Sequence, residues 1–133
     1  MTGALIVTAV LRAASAVTAI VPEARIKAGR LPEDIQLPAL VVRNISSVER
    51  RTLTREATIR TTDRVSVAVR AASYRDQGAI IRLVRSACAG LTGDIGGGSS
   101  VAIINAGTGP DVAGPGNSFE QSQDFLVSFD AAA

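Results

Sequence analysis

The sequence predicts an α+β domain in which two helices pack on one face of a small, mostly antiparallel sheet of four to five strands. Three observations predict it: an apolar stretch with helical spacing near the start, strict alternation over residues 64–71, and the order helix, strands, helix, strands. Runs of strands separated by a helix favour antiparallel or mixed pairing over the parallel sheet that strict βα alternation would give. The 133 residues fit one domain, 1–133, and suffice to bury roughly two-thirds of the unfolded surface.

Residues 4–20 read as the first helix. Leu5, Val7, Val10, Leu11, Ala14, Val17 and Ile20 approximate one apolar stripe, with Thr8, Arg12, Ser15 and Thr18 on the other side. Pro22 ends it, because proline has no amide to continue the ladder. The stretch Ala4 to Val21 is apolar, but it lacks a basic leading segment, carries Arg12 at its centre and runs into Pro22 and Glu23. That pattern reads as a core-facing helix, not as a leader or a membrane span. Residues 22–38 form a connector broken by Pro22, Gly29, Pro32 and Pro38, within which 24–28 can pair as a short edge strand. Residues 39–48 form a strand whose start, Ala39 to Val42, is apolar on both faces. The charged segment 49–63 reads as a long hairpin arm or a mobile loop.

In residues 64–71, Val65, Val67, Val69 and Ala71 alternate with Arg64, Ser66, Ala68 and Arg70, the period of a sheet with one better-buried face. Ser73 opens the second helix, with Asp76 at capping-box spacing. Ala79, Ile80, Leu83, Val84 and Ala87 supply its stripe, Arg75, Arg82 and Arg85 lie off it, and Gly90 suits the left-handed residue after a helix. Residues 92–100 form a flexible Gly/Ser-rich connector, 101–105 a short strand, and 107–117 a loop unfit for regular structure. Phe119 to Phe129 closes the chain as a strand with Phe125, Val127 and Phe129 on one face. Two helices cover one face of such a sheet and leave the other partly bare for a neighbour.

Composition bounds the function. Aromatics make up 3% of the chain, so the core is aliphatic and thin, a condition in which partners often contribute stability. The net charge of +2, with Lys27 the only lysine, falls short of a dedicated nucleic-acid surface, and the arginine bias equally fits a GC-rich genome. A single cysteine, Cys88, excludes an intramolecular disulfide framework.

The chain has no histidine, which removes the usual general base, the commonest metal ligand and the usual activator of Ser or Cys nucleophiles. No catalytic, cofactor-binding or metal-binding residue is therefore assigned. Glu33 and Asp34 sit in a Pro-bounded loop, unlike carboxylates held apart on rigid elements for acid–base work. The run Gly93-Asp94-Ile95-Gly96-Gly97-Gly98-Ser99-Ser100 lacks the Lys and the following helix that a phosphate loop needs. Cys88 reads as a buried structural thiol. The arginines between Arg43 and Arg70 are interrupted by Glu49, Glu56 and Asp63, and no set of aromatic platforms accompanies them. They fit a solvated, salt-bridged arm, or an arm that meets a neighbouring subunit through paired charges at Arg50, Arg51, Arg55 and Arg60.

The run from Arg25 to Val42, with Ile26-Lys27-Ala28-Gly29-Arg30-Leu31-Pro32 followed by Leu37-Pro38-Ala39-Leu40-Val41, resembles the tail terminator (tail completion) proteins of long-tailed bacteriophages. The alternating segment Arg64 to Arg70 followed by Ser73-Tyr74-Arg75-Asp76 is similar to that family as well, so the resemblance covers roughly residues 4–90. It implies a structural virion protein of the tail or neck, assembled in the host cytoplasm, with no enzymatic activity and no cofactor. It further implies a ring of identical copies, usually six, at the head-proximal end of the tail tube. Such a ring ends tube growth, meets the major tail tube protein and a head completion or stopper protein, and passes DNA without sequence-specific contact and without a membrane. The competing expectations are a head-side connector or stopper and, from a different class, a small ligand-binding α+β domain.

Overall fold

The computed structural model describes residues 2–51, 53, 55 and 57–132. Helix α1 (Gly3–Ala13) and the single turn α2 (Ser15–Thr18) lead into strands β1 (Ile26–Ala28), β2 (Ala39–Arg50) and β3 (Thr58–Ala71). Helix α3 (Tyr74–Cys88) follows, then β4 (Thr92–Gly93), β5 (Ser99–Thr108), β6 (Val112–Ala113) and β7 (Phe119–Ala132). The sheet order is β1-β2-β3-β7-β5-β4, with β6 pairing to β7 beyond the end of β5. Strand β1 runs parallel to β2, and the remaining pairs are antiparallel. The α+β architecture is as the sequence predicts. The sheet is larger than the expected four or five strands, because the two- and three-residue segments β1, β4 and β6 add to four long strands.

The β3–β7 pair is the spine. Its register runs unbroken from Thr58 opposite Ala132 to Ala71 opposite Phe119. Val65, Val67 and Val69 of β3 and Phe125, Val127 and Phe129 of β7 share the helix-covered face and are buried. They join Leu40, Val42 and Ile103 from the flanking strands and Ile6, Val7, Leu11, Ile80, Ile81 and Val84 from the helices in one core. Ala39 and Val41, the alternate residues of β2, are buried outside that core, so its first four residues are covered on both faces as their apolar run predicts.

Both helices differ from expectation in detail. The first stretch breaks at Ala14, whose backbone is extended (φ −81°, ψ 108°). The break splits the predicted 4–20 helix, and the buried stripe of α1 is turned from the expected one: Ile6 goes into the core, while Leu5 and, beyond the break, Ile20 are 49% and 46% exposed. Thr8, expected outside, is buried with its hydroxyl donating to the Ala4 carbonyl at 2.7 Å. In α3 the buried line is Gln77, Ile80, Ile81, Val84 and Cys88, and Ala79 is exposed. The predicted cap forms, with Ser73 Oγ accepting from the Asp76 amide at 3.1 Å, and Gly90 takes the left-handed φ of +84°.

The start of α1 is fixed by the sheet. Asp63 Oδ2 accepts from the Gly3 amide at 2.7 Å and from Asn44 Nδ2 at 2.9 Å, and Asn44 Oδ1 accepts from the Ala4 amide at 2.8 Å. Two amides that a helix N-terminus leaves open are thus satisfied by β2 and β3, and an acidic group stands at the positive end of the helix. Gly3 is required there, because a Cβ would lie 2.8 Å from that of Asp63. The glycine run after α3 also packs against α1: a Cβ on Gly96 (φ +59°) would sit 2.7 Å from the Ile6 carbonyl oxygen. The expected flexible connector is therefore a packed segment, further held by the Ser100 amide donating to Asp94 Oδ1 at 2.9 Å.

Replacing Asp63, 2% exposed, leaves the Gly3 amide and Asn44 without their acceptor. The Asp63→Ala change should cost about 2 kcal/mol in denaturant unfolding. A loss below about 0.5 kcal/mol, the range of ordinary surface changes, would show that this anchor does not hold the helix.

Candidate functional site

The four arginines singled out in the sequence do not form one equivalent group. Arg50 ends β2, exposed, and stands opposite Arg60 of β3 in the ladder. Arg51 and Arg55 follow in the exposed arm, where Arg51 pairs with Glu49 at 2.8 Å. An exposed pair of this kind contributes only about 0–1 kcal/mol. Arg60 is tied into the sheet: its guanidinium donates to the Ser100 carbonyl at 2.6 Å and to Asp130 at 3.2 Å. The structure brings Arg50 and Arg60 side by side but leaves Arg50, Arg51 and Arg55 as the projecting cations. Two like charges directly opposite one another oppose strand pairing, and the ties to Asp130 and Ser100 offset that.

The sheet face away from the helices stays half-exposed, as expected, and is mostly polar. Alternate residues of β3 and β7 carry three ion pairs across the seam: Arg60 with Asp130, Arg64 with Asp124 at 2.9 Å, and Arg70 with Glu120 at 3.4 Å. Thr62 and Ser128 hydroxyls meet between them at 2.8 Å. Arg64 also donates to the Ala106 carbonyl at 3.2 Å, tying β5 to the ladder. These pairs were missed in the sequence, although their signal was present: most even positions of both strands are polar, and the charged ones are basic in β3 and acidic in β7. The face is a braced polar surface suited to contact with another protein.

The segment 107–117, expected to hold no regular structure, is held by side-chain amides, and β5 runs into it as far as Thr108. Gln123, fully buried, donates to Asn105 Oδ1 at 2.8 Å and the Gly107 carbonyl at 3.0 Å, and accepts from Thr108 Oγ1 at 2.5 Å. Gln121 donates to the Gly109 carbonyl at 2.9 Å, and Gln77 donates to Asp111 Oδ1 at 2.8 Å. Tyr74 donates to Asp111 Oδ2 at 2.6 Å, and that hydrogen bond, with the nearby carboxylate charge, raises the phenol pKa above its ordinary value. So anchored, the segment pairs β6 to β7 and frames an open cleft of about 440 Å³ lined by Tyr74, Asp111, Val112 and Phe119. Tyr74 and Phe119 meet edge to face at 6.1 Å.

Among the described residues no three Cys, Asp or Glu side chains stand close enough to hold a metal ion, and no helix is long and apolar enough to cross a membrane. Cys88 is buried at the end of α3, where desolvation pushes its thiol up to about 12. Glu33 and Asp34 are both exposed in their loop. What the fold offers is surface: a projecting basic arm, a braced polar sheet face and an anchored loop.

A domain with this exposed arm, polar sheet face and anchored loop is built to make contacts. A profile of the family described as Tail completion protein gp17 matches residues 6–117. The chain belongs to that family: it is a structural tail completion protein of the virion, not an enzyme. No curated protein sequence matches it. Among solved structures it is similar to a chain of the "Virion of native gene transfer agent (GTA) particle", with a TM-score of 0.73 at 11% identity, over 95% of this chain and 92% of that one. At that identity the likeness concerns the fold.

Burial of Cys88 gives a direct check. The unfolded thiol ionises near its ordinary value of 9.0 and the folded one only near 12. The folded state's advantage is therefore complete below pH 9 and is lost as pH rises towards 12. At pH 8 a thiol reagent should leave the native protein unlabelled and modify Cys88 only in denaturant; stoichiometric labelling of native protein would contradict its burial. In the loop, Gln123→Ala should speed amide exchange of residues 105–111 at least tenfold while leaving β3 protected. Unchanged exchange there would mean that the amide does not anchor the loop.

Proposed function

We propose that this tail completion protein forms a ring of identical copies, six in number, at the head-proximal end of the tail tube. The ring ends tube growth and joins the tail to the head, with DNA passing through it without sequence-specific contact. Its neighbours are the major tail tube protein on one side and a head completion or stopper protein on the other, with assembly in the host cytoplasm. The observation that carries this reading is the β2–β3 arm, which projects Arg50, Arg51 and Arg55 from a domain that is internally well anchored. An arm of this kind adds contact surface without disturbing the core. Its charges suit recognition and orientation more than raw affinity.

Arg60 contributes differently from the other three residues proposed for the interface. Bound to Ser100 and Asp130, it stiffens the base of the arm against β7. Particles made without this protein should carry tails of uncontrolled length that fail to join heads. A head-side stopper would instead leave tails of normal length unjoined. Reversing Arg50, Arg51 and Arg55 together to Glu should reduce joined particles at least tenfold, while unfolding free energy changes by only about 0.5 kcal/mol per site. Normal particle yield and tail length in that variant, counted by electron microscopy, would sink the assignment of the arm.

A further inference from the structure

Outward-facing hydrophobic residues are not spread evenly over the domain. Among the described residues, the exposed large ones include Ile45, Val48 and Leu53 on and beyond β2, and Tyr74, Ile104, Val112 and Phe119 around β5 and β6. Only Leu5 and Ile20 lie elsewhere. The two groups occupy opposite flanks of the sheet, since its order runs from β1 and β2 through β3 and β7 to β5.

Charge divides the same way. All 14 Lys and Arg residues lie within 1–85, whereas residues 86–133 contain five acids, Asp94, Asp111, Glu120, Asp124 and Asp130, and no basic residue. The three acids on β7 are consumed by ion pairs with β3. Asp94 and Asp111, whose hydrogen-bond donors are all uncharged, keep their charge on the β4–β6 flank, opposite an arm that carries Arg50 and Arg55, with Arg51 paired to Glu49. Each flank is thus an apolar group with a charge of the sign that suits the other.

Both flanks also have unpaired strand edges at the same height. Strand β1 covers β2 only at Leu40 to Val42, leaving 43–50 open, and β4 with the preceding Gly90 and Leu91 covers β5 only as far as Ile103. Ser46, Arg64, Leu126 and Ile104 fall in one row across the sheet. Copies placed side by side can therefore meet with little offset along the strands, which suits closure into a ring better than an open helical filament. Each edge carries a register shift, between Asn44 and Ser46 in β2 and between Asn105 and Gly107 in β5. Bulges discourage indiscriminate strand addition, so the joint rests on side chains rather than a continuous ladder.

We infer that the β2 edge of one copy, through Ile45, Val48 and Arg50, docks on the β5–β6 edge of the next, through Ile104, Val112 and Asp111. This head-to-tail contact rests on the ring reading and specifies which surfaces close it. A second copy is the occupant that the complementarity selects, because both halves of the match are present in one chain and neither matches itself.

The test uses full-length chain with Cys88→Ala and the pair Val48→Cys and Ile104→Cys, incorporated into particles and oxidised, with a short bis-maleimide where the thiols lie beyond disulfide reach. A ladder of linked copies on a non-reducing gel is expected, and the control pair Leu5→Cys with Ile20→Cys should give none. Val48→Lys should lower incorporation into particles at least tenfold with an unchanged melting temperature, because a lysine on an edge blocks apolar docking. If mass measurement shows several copies per particle while the 48/104 pair stays unlinked, the edge assignment is wrong and the ring stands. If it shows a single copy, both fall together.

Discussion

The register between β3 and β7 is the constraint on which the rest depends. Fourteen positions of each strand pair without interruption. Because side chains alternate, this one register sends the valines and phenylalanines to the helices and the arginines and acids to the opposite face. A slip of one residue would exchange the two sets, burying Arg60, Arg64 and Arg70 against α1 and α3. The three ion pairs reinforce the same alignment. Each is half-exposed and individually weak, but all three form in the register that also buries Phe125 and Phe129. Apolar burial supplies the energy here, and the polar face helps to specify the alignment.

From that spine the anchors follow outward. Asp63 sits on the helix side of β3, two residues before Val65, and receives the first amide of α1. Gln123 sits on the same side of β7, two residues before Phe125, and receives Thr108 while donating to Gly107. Both are polar residues in core-facing positions near the point where hydrophobic packing gives way to a loop or a helix end. Each carries a buried hydrogen-bonding group that is costly to leave unpaired, so each fixes one local geometry. A thin aliphatic core with few aromatics gains definition from such groups.

The alternations of 64–71 and 119–129 were legible because a period of two survives any change in what packs above it. The Ser73 cap and Gly90 were legible because both are local. The first helix was less so: its apolar residues nearly encircle it, so its pattern does not choose Ile6 over Leu5 as the inward residue, and the break at Ala14 has no sequence marker as plain as proline. The order of 107–117 was hidden for a different reason. Gly107, Gly109 and Gly114 announce a loop, and its anchors, Gln77, Gln121 and Gln123, lie outside it on α3 and β7. At the candidate site, the arm was visible as a charged segment, but the separation of Arg60 from Arg50, Arg51 and Arg55 depends on Asp130, 70 residues away.

A domain without a reaction to catalyse still has to solve a problem of selectivity: open strand edges invite any extended chain. Here the edges are interrupted by bulges, and Arg43 turns back to donate to the Gly29 carbonyl at 2.8 Å, occupying a backbone acceptor beside the open part of β2. Uncommitted backbone is thereby reduced, and what remains exposed at the flanks is carried by side chains such as Val48 and Ile104, which discriminate by shape and charge where a bare ladder would not. The ion pairs between β3 and β7 act in the same direction, since acids already engaged with Arg60, Arg64 and Arg70 are less available to a stray cation. The same register that builds the core therefore also decides which charges stay within the chain and which are left for its partners.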